Sequence, residues 1–178
     1  FEAYSVSSDG QWVTGLGIGP FSGVGDTYRY NSFTDVCEVI PNLATGGGRS
    51  MAGAAITEDG GTIVGGTWGF GVPASFGDAF IWREGIGTMD LTDYFAEVGV
   101  TWPFGFHFAF ATSISPDGKW MAGWGNSGGP GNTVSWFVEI PGNTTWTVDD
   151  DGEADFDNIQ DAVDAASDGD EIVVMSGT

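Results

Sequence analysis

The sequence predicts an all-β protein: propeller-like four-stranded repeats, followed by a short helix-plus-strand segment at the C-terminal end. Three observations carry that expectation. Gly makes up 31 of 178 residues with no G-X-Y period, while 14% of the chain is aromatic. That combination suits many short strands joined by tight turns around packed rings. Three segments align around an Asp-Gly pair: AYSVSSDGQWVTGLG from Ala3, AAITEDGGTIVGGTW from Ala54 and ATSISPDGKWMAGWG from Ala111. After Pro141 the pattern changes to an acidic turn, a helical spacing and one buried-type strand.

Each repeat unfolds in the same order. A short strand carries Val6, Ile56 or Ile114 and then Ser7, Thr57 or Ser115. The pairs Asp9-Gly10, Asp59-Gly60 and Asp117-Gly118 follow, and Asp-Gly suits the positive φ angles of a tight hairpin. A second strand runs through Trp12-Val13, Ile63-Val64 and Trp120-Met121-Ala122 to Gly15, Gly65 and Gly123. After a glycine-rich loop come third strands at 26–30, 78–82 and 134–140, and in the middle repeat a fourth near Thr88–Leu91. Four antiparallel strands in about 50 residues make a blade-sized sheet. One such sheet cannot bury both faces, so the units must stack. The repeats span about 3–50, 54–108 and 111–141, within a first region 1–141.

Region 142–178 reads differently. A strand at Trp146–Val148 leads into Asp149-Asp150-Asp151-Gly152. Asp157 is the expected helix cap, with Gln160 as its capping-box partner. Phe156, Ile159, Val163 and Ala166 share helical spacing, Gly169 ends the helix, and Glu171–Met175 forms a strand.

These residues carry two resemblances. The small residue, Ile-Ser, Asp-Gly and Ala79-Phe80-Ile81-Trp82 pattern resembles the HAF-type extracellular repeats of bacterial surface and secreted proteins. That implies propeller-like β structure and a surface setting rather than a chemistry. Residues Ala154-Asp155-Phe156, Ile159-Gln160, Ala162, Ala165-Ala166, Gly169-Asp170 and Ile172-Val173-Val174 resemble the N-terminal cap and first coil of pectin-lyase-like right-handed parallel β-helices. That implies a helix covering open strand edges, with functional residues on later coils. Phe1 falls mid-repeat, so a fragment or processed form is expected.

The charge excludes some functions. With 25 acidic against 4 basic residues, the net charge is −21. Nucleic acid and anionic membranes both need Lys and Arg, so neither is an expected partner. No apolar run of spanning length occurs, and no membrane insertion is expected. The single Cys37 allows no intrachain disulfide.

Four candidates for chemistry arise. Ser127 lies in Gly125-Asn126-Ser127-Gly128-Gly129-Pro130, which imitates hydrolase nucleophile motifs. The only histidine, His107, sits 20 residues upstream in an aromatic strand, so Ser127 reads as a loop residue and no catalytic residue is assigned. No cofactor is required. Calcium is the one ion suggested, at Asp149, Asp151, Glu153 and Asp155, because calcium takes several carboxylate oxygens from one loop. The competing reading is a solvated turn and helix cap. Trp68, Trp102 and Trp124 are read as exposed and able to stack on a sugar, while Trp12 and Trp120 are assigned to the core. The expected function is a non-enzymatic structural or adhesive repeat module, secreted or at the cell surface of a bacterium, in a saline or marine habitat. Its expected partners are polysaccharide, other surface proteins or copies of itself. The alternative is the glycan-binding portion of a carbohydrate-active enzyme whose β-helix holds the active site.

Overall fold

The computed structural model describes residues 1–18, 25–43, 49–69, 76–129, 131–141, 145–150, 154–166 and 170–175. They form two compact units, Phe1–Glu139 and Ile140–Thr178. In the first, β1 (Glu2–Val6), β2 (Trp12–Ile18), β3 (Gly25–Asn31) and β4 (Val36–Ile40) form one antiparallel four-stranded sheet in sequence order. A second has the same order: β5 (Arg49–Ile56), β6 (Thr62–Gly69), β7 (Ala79–Arg83) and β8 (Gly87–Asp90). The third has three strands: β9 (Phe106–Ile114), β10 (Trp120–Ser127) and β11 (Thr133–Glu139). The sheets stack as blades 1, 2 and 3. Strand β5 packs on β2 and β3, and β9 packs on β5, β6 and β7. The fold is all-β and propeller-like.

The repeated turn is a hydrogen-bond cage. In blade 1 the Ser7 hydroxyl donates to Asp9 Oδ1 at 2.6 Å. The Gln11 amide donates to the same oxygen at 2.8 Å, and the Trp12 amide donates to Ser7 Oγ at 2.9 Å. Thr57, Asp59, Gly61 and Thr62 repeat the pattern in blade 2. Ser115, Asp117, Lys119 and Trp120 repeat it in blade 3. The Asp-Gly pair thus departs from the expected two-residue turn. Only glycine takes positive φ, 78° at Gly10, 72° at Gly60 and 75° at Gly118, while the aspartate serves through its side chain.

The glycine six residues later has a steric cause. A Cβ at Gly15 would stand 1.9 Å from Glu2 O, at Gly65 1.9 Å from Ala52 O, and at Gly123 2.1 Å from Phe110 O. In each blade the adjoining innermost strand has a register shift at or beside this glycine, and a carbonyl of that strand, Glu2, Ala52 or Phe110, fills the space a side chain would take.

Two cores join the blades. Ile40 of blade 1 packs with Met51, Ile56, Ile63, Phe80 and Trp82 of blade 2, with Trp12 alongside. On the far side of blade 2, helix α1 (Leu91–Glu97) is an element the sequence reading did not foresee. Asp90 caps it by accepting from the Thr92 amide, and Leu91, Tyr94 and Phe95 form its buried stripe. The fourth strand of blade 2 accordingly ends at Asp90, and Leu91 opens the helix rather than closing the strand. Phe95 meets Phe108 at 5.0 Å and Trp136 at 5.9 Å, both edge-on.

In the second unit, β12 (Thr145–Val148) pairs in parallel with β13 (Glu171–Val174), and α2 (Ile159–Ala165) lies between them in sequence. The cap is Asn158, which accepts from the Asp161 amide, and not Asp157. The expected stripe also shifts. Ala162 is the buried helix residue, whereas Ile159 and Val163 are exposed. Short Ala162 lets the helix approach closely where the branched side chains would hold it away. The expected helix end at Gly169 lies outside the described residues.

Candidate functional site

Aromatic side chains form a row across blades 2 and 3. Phe110 of β9 lies over Gly66 of β6, where an added Cβ would meet its ring at 2.3 Å. On one side Phe110 stacks on Trp124 of β10, centroids 5.9 Å apart and planes 5° from parallel. On the other it leans on Trp68 of β6 at 6.5 Å and 34°. Trp68, Trp102 and Trp124 are each half-buried, as is Phe110, which corrects the expectation of exposed indoles. Close blade stacking causes this, since Gly66 lets Phe110 settle between the sheets. The strands place two of the three predicted tryptophans together and add Phe110. Its signal in the sequence was its position just before Ala111, at the start of the third repeat.

Trp102 stands elsewhere. It meets Phe108 edge-on at 5.5 Å and lines a cleft of about 440 Å³ with Phe106, Ser127, Val134 and Trp136. Trp136 is 9% exposed, and its indole Nε1 has no hydrogen-bond partner among the described residues.

Ser127 and His107 lie on paired strands but on different faces. His107 is opposite Asn126, and Ser127 is opposite Phe106. Neighbouring strand residues point to opposite sides, so the two side chains diverge. His107 Nε2 instead lies 2.7 Å from the Gly77 carbonyl and 3.7 Å from Asp78 Oδ1. Asp78 also pairs with Arg49.

Of the predicted calcium ligands, Asp151 and Glu153 lie outside the described residues. The Asp155 carboxylate is taken by Thr147, whose amide and hydroxyl both donate to Oδ2, at 2.9 and 2.8 Å. Those bonds hold its pKa below the usual aspartate value. The Asp149 amide donates to Phe156 O and shapes the same turn. Among the described residues, no three His, Cys, Asp or Glu side chains cluster closely enough to hold a metal.

The most concentrated charge lies between blades 1 and 2. Arg29 of β3 is 8% exposed, and its guanidinium sits 4.8 Å from the ring centres of both Trp12 and Trp82. It donates to Gly60 O, Glu38 and both oxygens of Glu84. The Glu84 carboxyl is held below its ordinary range, first by the hydrogen bond from Arg29 and then by its charge. This arrangement joins blades. Every donor but Nε is engaged within the protein.

Stacked sheets, repeated turn cages and aromatic rows define the class: a propeller-like β-repeat protein. No family model matches the chain, and no curated protein matches it. Among solved structures it is similar to a TolB-type protein of Agrobacterium tumefaciens, at 18% identity and a TM-score of 0.46, covering 76% of this chain and 41% of that one. It is also similar to TolB from Acinetobacter baumannii, at 18% identity and a TM-score of 0.45, covering 76% of this chain and 29% of that one. The chain spans less than half the length of either. No helix among the described residues is long and apolar enough to cross a membrane.

Proposed function

We propose that the chain is a non-enzymatic adhesive module of a secreted or cell-surface bacterial protein, built on HAF-type repeats, and that it contacts polysaccharide. The observation that supports this reading is the row Trp68–Phe110–Trp124, held on three strands of two packed sheets. Ring faces on a rigid scaffold suit the apolar faces of sugar rings, because little side-chain freedom is lost on contact. The strong negative charge favours neutral over acidic glycans.

The test is affinity electrophoresis of the chain through gels containing neutral or uronic-acid polysaccharides. Retardation by a neutral glycan is expected, with at least about a tenfold loss of affinity in Trp124→Ala, equivalent to ~1.4 kcal/mol. Free migration through every neutral glycan counts against the reading.

A second reading rests on the parallel pairing of β12 with β13 across a helix. It makes the chain the glycan-binding portion of a carbohydrate-active enzyme, with a parallel β-helix running on from this strand pair. In that case the parent protein cleaves the polysaccharide that this chain retains.

A further inference from the structure

Each turn cage encloses an Asp-Gly bond, a backbone link prone to spontaneous isomerisation. In that reaction the glycine nitrogen loses its proton and bonds to the aspartate Cγ, and a carboxyl oxygen leaves as water. The cyclic imide then takes up water at either carbonyl and opens to aspartate or to isoaspartate. Glycine favours the attack because no side chain shields its nitrogen. Isoaspartate carries Cβ in the main chain and its carboxylate on a stem shorter by one carbon, so a cage that has isomerised cannot re-form.

The cage opposes each requirement of this chemistry. The glycine proton is engaged: the Gly10 amide donates to Ser7 O at 2.9 Å, Gly60 to Thr57 O at 3.1 Å and Gly118 to Ser115 O at 2.9 Å. The carboxylate is aimed elsewhere. Oδ1 of Asp9 accepts from the Gln11 amide, that of Asp59 from Gly61 and that of Asp117 from Lys119, each one residue beyond the glycine. The same oxygen accepts from the hydroxyl of Ser7, Thr57 or Ser115. Loss of water needs the protonated acid, and these donors favour the ionised form. The Ser7 hydroxyl first, and then the Gln11 amide, hold the Asp9 carboxyl below its ordinary range. Ser115 and then Lys119 do the same for Asp117.

The cages of blades 2 and 3 each face a preceding blade, and they are clamped unequally. A Cβ on Gly60 would stand 2.4 Å from the Trp12 indole, and Gly60 O accepts from Arg29 at 3.0 Å. The Ser8 and Asp9 amides also donate to the Glu58 carboxylate beside that cage. In blade 2, Thr62 takes the register place of Trp12, opposite Arg83 as Trp12 is opposite Asn31. Threonine has no ring to lay over the blade 3 cage, which the Glu58 amide joins through Pro116 O at 3.0 Å. Gly60 is accordingly buried and Gly118 half-buried. Trp120 holds the same place in blade 3, opposite Glu139, and is 37% exposed. This corrects its assignment to the core, because what buries Trp12 is the turn of another blade and not its own sheet.

We propose that the cage is a chemical guard on the Asp-Gly bond: it holds back imide formation at Asp9, Asp59 and Asp117, and between blades 2 and 3 it is Asp117 that becomes isoaspartate first. The imide forms only when a turn opens, and the turn with fewer clamps opens more often. The hydroxyl two residues before each aspartate is the guarding group. This role is independent of glycan binding.

The test ages the whole chain near neutral pH, folded and in guanidinium chloride. Isoaspartate is located by peptide mass spectrometry with electron-transfer fragmentation, which separates the two isomers although their masses are equal. Each site's folded rate is divided by its own rate in denaturant. Conversion at the three turns is expected to be at least about tenfold slower in the folded chain, and slower at Asp59 than at Asp117. Ser115→Ala should raise the rate at Asp117 by roughly tenfold, the factor set by one lost bond to a charged group, and leave Asp59 unchanged. Ser115→Thr keeps the hydroxyl, as Thr57 does in blade 2, and should convert at the native rate. Equal folded and denatured rates overturn the proposal, as does a Ser115→Ala variant that converts no faster than the native chain. Acceleration at all three turns alike in that variant would mean general loosening, which also defeats a local guard. Faster conversion at Asp59 than at Asp117 in the folded chain overturns the order.

Discussion

The junction between blades 1 and 2 and the junction between blades 2 and 3 use different chemistry in one shared geometry. At the first, a charged side chain lies between two indoles, and Thr27 reaches across to donate to Met51 O at 3.0 Å. At the second, Phe95, Phe108 and Trp136 meet edge-on with no charge among them. Turn cage, bulge and glycine recur in every blade, while the filling between blades does not. Spacing in this protein is therefore set by the backbone devices, and the inter-blade filling is free to vary so long as it matches its neighbour.

The largest effect expected from breaking this contrast is at the aromatic junction. Phe95 is fully buried, and Phe95→Ala removes a ring touching both Phe108 and Trp136. The loss should be about 3–5 kcal/mol in thermal or denaturant unfolding. Stacked repeats touch only their neighbours, so amide exchange should quicken in β9–β11 and stay slow in blade 1. Equal loss of protection in all three blades would show one cooperative body rather than separable junctions.

Arg29→Met should cost less, about 2–3 kcal/mol, through two cation–π contacts and the bond to Gly60 O. Glu38 and Glu84 are half-exposed, at 49% and 63%, so water can replace the guanidinium. The exchange pattern should be the reverse of the first, with β2, β3 and the Asp59-Gly60 turn opening while β9–β11 stay protected. A cost matching that of Phe95→Ala would mean that the buried guanidinium contributes as much to its junction as the buried phenyl ring does to the other.

The same contrast explains what could be read from the chain alone. The blades were legible because a turn cage needs Ser or Thr, Asp and Gly at fixed separations, and the bulge needs glycine six residues on. The turn's detailed geometry was not, since Asp-Gly also suits a two-residue hairpin. Helix α1 was hidden inside the long second spacing, although Asp90 with Leu91, Tyr94 and Phe95 is a capped amphipathic pattern. Trp120 and Trp12 sit in near-identical local sequence and differ only in what covers them, which no local pattern records. Phe110 was missed for the same reason: its place in the row depends on Gly66 of another blade. Half of the acidic candidate set, Asp151 and Glu153, falls outside the described residues, and Asp155 is engaged by Thr147.

The smallest effect concerns acid and again separates the two junctions. Arg29 holds the Glu84 carboxyl below its ordinary range, so the folded protein keeps Glu84 ionised at pH values where the unfolded chain takes up a proton. Stability from this pair is therefore fully present above the unfolded pKa, about 4.3 for glutamate, and is lost as pH falls through the lower folded value. Glu84 is largely solvated, so a surface-pair magnitude applies, about 0.5 kcal/mol. Glu84→Gln should melt slightly below the native protein at pH 7, and the gap should close as pH falls below about 4. In a Phe95→Ala background the gap should be unchanged, because that substitution acts at the other junction. A gap that persists at pH 3 would assign the loss to packing of the Glu84 stem on its neighbours rather than to its charge.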